Sequence, residues 1–131
     1  MTSPLRYPGG KTRARKKLDI IFSENFDAQS INRIVSPFFG GGSFELSMHK
    51  TYNKPIIAND KFKPLLNFWE QVKTNADAVI NRISDNRQVS KEKFQEFRRQ
   101  VMDCQDPVEQ GMMYFIINRC SFSGATLSGG F

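Results

Sequence analysis

The residues best suited to chemistry lie in the stretch IVSPFFGGGSF, where Gly40, Gly41 and Gly42 follow a short apolar run, and in Asp60, 20 residues after Gly40. Glycines placed directly after a buried strand let backbone amides come close to a ligand, because no Cβ stands in the way. A helix starting behind them adds free N–H groups and a partial positive charge. An acid at the end of the next strand of a doubly wound sheet accepts hydrogen bonds from ribose hydroxyls. Together these point to a nucleoside-containing ligand at the carboxyl ends of two strands. The plainer alternative is a glycine turn beside an exposed acid.

The dinucleotide pattern G-x-G-x-x-G, begun at Gly40, requires glycine at position 45, which is Glu45. That disfavours NAD and FAD. S-adenosylmethionine has no phosphate to cradle, so a looser glycine turn suffices. Two lookalikes fail. Gly10-Lys11-Thr12 resembles the end of a P-loop, but position 5 is Leu5 and no strand precedes it. Leu127-Ser128-Gly129-Gly130 resembles an ATPase signature without a matching nucleotide site. Cys104 and Cys120 fit no metal spacing and read as two reduced thiols of a cytosolic protein; no metal is expected.

These groups need elements to hold them. Pro4, Pro8, Gly9 and Gly10 make the opening turn-rich. A helix is predicted from about residue 11 to 23, with Leu18, Ile21 and Phe22 on one face. Residues 31–35 and 55–58 read as short strands around a helix that begins near Phe44. Helices are predicted over residues 62–73 and 76–83, after Ser90, and over 107–118, where Met112 and Met113 are expected in the core. Ser90 and Lys93 fall short of a full capping box. The last stretch, CSFSGATLSGGF, reads as a loop. Strand, glycine loop, helix, strand and acid form a βαβ half-unit, so the strands should be parallel with a right-handed crossover and helices over both faces. Two strands make a very small, unfinished sheet.

The chain of 131 residues is one domain's worth, and its 39% apolar content with 12 phenylalanines is enough for a core. No apolar run approaches the roughly 20 residues of a membrane span, and the N-terminus lacks a secretory apolar stretch. The net charge of +6 is uneven: Arg6, Lys11, Arg13, Arg15, Lys16 and Lys17 lie within the first 17 residues, without an acid. Such an arm suits a polyanion, with nucleic acid the common case, or is a solvated basic helix.

PLRYPGGKTR, SPFFGGGSFEL, AND and NRCSFSG, in that order, resemble the N-terminal part of the adenine-N6 DNA methyltransferases of the GATC-methylating, D12-class type. The resemblance covers nearly the whole chain. It implies an α/β, class I S-adenosylmethionine-dependent methyltransferase fold (Rossmann-like), helix-rich with few parallel strands and truncated. Residues 1–117 would be the front of the cofactor-binding domain and 118–131 the start of a DNA-recognition region. Carried over, Tyr7 and Lys11 contact S-adenosylmethionine, Phe38, Gly40, Gly42 and Ser43 line its site, and Asp60 bonds the ribose. Arg13 and Lys16 face DNA phosphates, and Asn118, Arg119, Ser121, Phe122 and Gly124 open the DNA-facing surface; for Phe122, core packing stands as an equal alternative.

The resemblance also implies double-stranded DNA as partner and a cytoplasmic, DNA-associated setting in a bacterium, phage or virus, with no membrane. Two departures stand out. Family members often carry an acid where this chain has Ser36, which weakens a polar contact near the cofactor's amino group. The catalytic tetrapeptide, usually D-P-P-Y, is missing; the one D-P, Asp106-Pro107, precedes the recognition motif and lies in a helical context. No catalytic residue is therefore assigned. Three readings remain: a methyltransferase or its cofactor-binding part, an inactive DNA- or partner-binding product, and a subunit completed by a second chain. An open strand edge would favour self-association or a complementary piece.

Overall fold

The computed structural model describes residues 3–11 and 13–131. Thr12, part of the N-terminal motif and of the P-loop lookalike, lies outside them. The chain divides into two compact units: one built on Gly9–Asp60, the other on Leu5–Pro8 with Lys61–Phe131.

The first unit holds helix α1 (Arg15–Asn25), strand β1 (Ile34–Ser36), helix α2 (Ser43–Tyr52) and strand β2 (Ile56–Ala58). α1 begins later than its pattern predicts, and Ala14 at its N-cap offers no side-chain hydrogen bond. Its apolar face packs through Phe22, whose ring lies 5.2 Å from those of Phe26 and of Tyr52 on α2, yet no α1 residue is buried. The strands pair in parallel, Ile34 with Ile56, Val35 with Ile57 and Ser36 with Ala58.

β1 therefore sits later than residues 31–35. The amide of Ile34 donates to Pro55 O at 2.9 Å, and Pro55 has no N–H to extend the ladder backwards. At the other end the pairing runs on into the loop, with Asn59 N donating to Ser36 O and Phe39 N to Asn59 O, both at 2.9 Å. The expected cover over both sheet faces is incomplete: the paired Val35 and Ile57 are 62% and 48% exposed.

The second unit is helical: α3 (Lys63–Thr74), α4 (Ala76–Asp85), α5 (Lys91–Gln100) and α6 (Pro107–Cys120), then two short 3-10 turns, Phe122–Gly124 and Thr126–Ser128, where a loop was expected. Its core gathers Leu65, Phe68, Phe94, Phe97, Val101, Met112, Met113, Tyr114, Ile116 and Ile117, with Leu5 from the N-terminal segment. Both methionines are core residues, as their pattern implied. Gly111 allows α6 to lie close to α3, since a Cβ there would stand 3.2 Å from the Phe68 Cα. Inside this packing, fully buried Gln110 receives a bond from Asn67 Nδ2 at 2.5 Å and donates to Val101 O at 2.6 Å.

Side-chain caps mark the starts of α5 and α6. Ser90 accepts only from Lys93 N, at 3.2 Å, half of a capping box. Asp106 accepts from Val108 N and Glu109 N at 2.8 and 3.0 Å, and Pro107 follows in the first turn. The single D-P of the sequence is thus a helix start.

Candidate functional site

In the first unit the glycine loop and Asp60 meet directly. The amide of Gly40 donates to Asp60 Oδ2 at 2.8 Å. The contact follows from the pairing: β2 delivers Asp60 beside the loop that leaves β1, and Asn59 Nδ2 donates to Pro37 O at 3.3 Å. A charge-assisted bond of this kind contributes about 1.5–3 kcal/mol. The carboxylate is held beside the loop by this bond.

Gly42 is the N-cap of α2, in the left-handed region at φ 62°. A Cβ there would meet the Phe39 ring at 2.4 Å, so only glycine fits both the backbone and the packing. Phe39 is the buried member of the Phe-Phe pair, and Phe38, 87% exposed, is the one presented outward. Ser43 is buried in the first turn of α2, whose start has no side-chain cap.

Ser36, the position where an acid was missed, donates through Oγ to Glu45 Oε1 at 2.7 Å. A carboxylate therefore does stand beside the foot of the loop, delivered from the first turn of α2, where the helix dipole also favours it. Sequence reading missed this because Glu45 was considered only as the residue in place of a third glycine. The available signal was its position in the first turn, next to the serine that replaced an acid.

Lys11, in the same unit, is exposed, and its Nζ donates to Gly9 O at 3.0 Å. Tyr7 belongs to the second unit and is 37% exposed. There it lines a cavity of about 210 Å³ with Pro8, Phe62, Tyr114, Gly124 and Thr126, in which Phe62 and Tyr114 stand edge to face, 5.8 Å apart. Three aromatic rings around such a hollow suit a planar ring.

The NRCSFSG residues part company. Arg119 is exposed and Phe122 is 79% exposed, so the core-packing alternative for Phe122 is set aside. Asn118, expected on the outer face, is fully buried and engages the backbone of Arg6. Ser121 is 2% exposed; its Oγ donates to Asn118 O at 3.3 Å and accepts from Thr126 N at 3.0 Å. Gly124 is buried as well. Asn118, Ser121 and Gly124 thus build the turn from inside, while Arg119 and Phe122 form its outer surface. Burial pushes the Cys120 thiol up, against the pull of Arg119 and Arg6.

On α1, Lys16 is exposed, as is Arg13 just before the helix. Among the described residues no cluster of His, Cys, Asp and Glu is placed to hold a metal, and no helix is long and apolar enough to cross a membrane.

Among curated proteins no sequence matches this chain. The family model for D12 class N6 adenine-specific DNA methyltransferase matches residues 7–130, a span that takes in the glycine loop, Asp60, Glu45 and the whole turn after α6. The two parallel strands joined through a glycine loop and helix are compatible with the α/β layout expected of such enzymes. On that match, the chain is a member of the D12 class N6 adenine-specific DNA methyltransferase family.

Proposed function

We propose that this chain forms the cofactor-binding part of a DNA adenine-N6 methyltransferase with a class I, Rossmann-like fold, and that its glycine loop holds S-adenosylmethionine. The observation that carries the reading is the Gly40–Asp60 contact at the carboxyl ends of two parallel strands. When bound, the cofactor supplies the methyl group. Asp60, oriented by the Gly40 amide, accepts hydrogen bonds from the ribose hydroxyls. Gly42 and Ser43 bring the backbone at the start of α2 close to the ligand. Glu45, held by Ser36, offers its carboxylate to the ligand's cationic end. Phe38 provides an outward ring for the adenine, and Tyr7 and Lys11 are assigned to the cofactor on their motif.

The residues fit the cofactor in chemical type: a tethered carboxylate for a diol, a second carboxylate for a sulfonium and an ammonium, and glycines where a phosphate-free ligand needs close approach. Arg13 and Lys16 supply phosphate contacts, with Arg119 and the exposed Phe122 on the DNA-facing turn, where an aromatic side chain suits a base face. Asp106-Pro107 is engaged in starting α6, so neither residue is assigned to accept the N6 hydrogens. Calorimetry with S-adenosylmethionine tests the reading. The chain is expected to bind it, and Asp60→Ala to weaken binding about tenfold or more. Unchanged affinity in the variant would remove the site. A labelled-methyl assay on adenine-containing duplex is expected to give no turnover with the chain alone, and robust turnover by pure monomer would contradict the assignment of a cofactor-binding part.

A further inference from the structure

We infer that Asn118 and Gly124 are positioning residues that clamp the segment bearing Tyr7 onto the turn bearing Phe122, so that the turn keeps its DNA-facing form only while residues 5–8 are docked. The clamp lies wholly within the second unit. The Arg6 amide donates to Asn118 Oδ1 at 2.8 Å, and Asn118 Nδ2 donates to Arg6 O at 2.5 Å. A primary amide is the one side chain that offers an acceptor and a donor side by side to both polar groups of one residue. Asn118 is fully buried and Arg6 is exposed, so removing the amide deprives both backbone groups of Arg6 of this partner and leaves the buried space beneath them unfilled.

Gly124 closes the same contact from the other side. Its φ is +72°, and a Cβ there would stand 2.2 Å from Arg6 O and 2.7 Å from Arg6 C. Backbone meets backbone at that point, and backbone has no rotamer by which to yield. Arg6 adds a longer bond, Nη1 to Arg119 O at 3.5 Å, and Leu5, one residue earlier, is 8% exposed in the helical core. Residues 5–8 and 118–124, more than a hundred positions apart in sequence, are thus one structural piece. Phe122 projects from it at 79% exposure, and Tyr7 lines its hollow.

The functional half of this inference rests on the reading of Arg119 and Phe122 as DNA-facing; the clamp itself does not. Two chemically different lesions test it: Asn118→Ala removes the hydrogen bonds, and Gly124→Ala wedges the backbones apart while leaving the amide. Amide hydrogen exchange is measured on both, with peptides from α3 and α5 as the fold control. Each variant is expected to lose about tenfold or more protection in residues 5–8 and 121–128 together, with α3 and α5 unchanged. Protection retained at residues 5–8 in both variants would overturn the clamp.

The second arm is a double-mutant cycle on duplex affinity, read by fluorescence anisotropy. Phe122→Ala in the otherwise native chain is expected to weaken binding by about tenfold, within the range of lost base stacking. In the Gly124→Ala background the same change should matter less than about twofold, because the ring is no longer positioned. Additive effects would overturn the positioning role. If Phe122→Ala has no effect in the native chain, the DNA-facing reading falls, and the exchange result alone upholds or overturns the clamp.

Discussion

The two units of this protein are built to different standards of burial. In the helical unit, α6 alone contributes eight buried residues, and Leu65, Val101, Met112 and Ile117 are at 0% exposure. In the unit that carries the glycine loop, α1 contributes none, and Val35, Ile57, Phe26 and Ile20 are 48–62% exposed. What is buried there is the loop, with Ser36, Phe39, Gly40, Gly41, Gly42 and Ser43, together with Ser47 and Met48 of the helix that follows it. Apolar burial is concentrated in one unit and close backbone geometry in the other. A ligand site needs the second kind of order, and regions that bind are drawn from the less stable end of a structure.

The largest test of that contrast is packing. Phe68→Ala, which empties the space beside Tyr114 and Phe115, should cost about 3–5 kcal/mol. Phe26→Ala, at a site 59% exposed, should cost under about 1 kcal/mol. Urea titration measures both, and equal losses would erase the distinction between the units.

Next in size are the ligand contacts. Glu45→Gln should weaken S-adenosylmethionine by about tenfold, one lost charge-assisted contact, while leaving 5′-methylthioadenosine, which lacks the amino-acid end, within about twofold. Loss of both ligands in parallel would mean that Glu45 only props the loop.

Smaller again is the cap of α6. Asp106→Ala should cost about 1 kcal/mol or somewhat more through lost N-cap bonds, with cofactor affinity unchanged. A large loss of cofactor binding with little change in stability would give Asp106 a role that its position at a helix start does not suggest. Smallest in free energy is each basic side chain of the arm. Arg13→Ala and Lys16→Ala should each flatten the logarithmic salt slope of duplex binding by about 0.9, provided each contacts one phosphate; an unchanged slope would detach that residue from DNA.

Much of this was legible in the sequence for definite reasons. The helices of the second unit showed themselves because Phe94, Phe97 and Val101 recur at helical spacing and Asp106-Pro107 starts a helix by local chemistry alone. The βαβ order was legible because three glycines interrupt two apolar runs. β1 was placed too early because its true limit is set by Pro55 on the other strand, which periodicity within residues 31–35 does not encode. The Gly40–Asp60 spacing pointed to a shared site, and the structure brings the two into hydrogen-bonding contact. Glu45 was missed because its partnership with Ser36 exists only once α2 folds back over β1. Asn118 was read as an outer-face residue because a motif gives order along the chain and not depth; its partner, Arg6, lies 112 positions away.

The most direct measurement is a titration of isotopically labelled chain with S-adenosylmethionine, followed amide by amide by NMR. The largest shifts are expected at residues 38–43 and at Asp60, with the Gly40 amide foremost because its carboxylate partner gains the ribose, while the amides of α3, α4 and α5 stay in place. Saturable binding whose shifts centre on the helical unit and leave Gly40 and Asp60 untouched would contradict the glycine loop as the cofactor site.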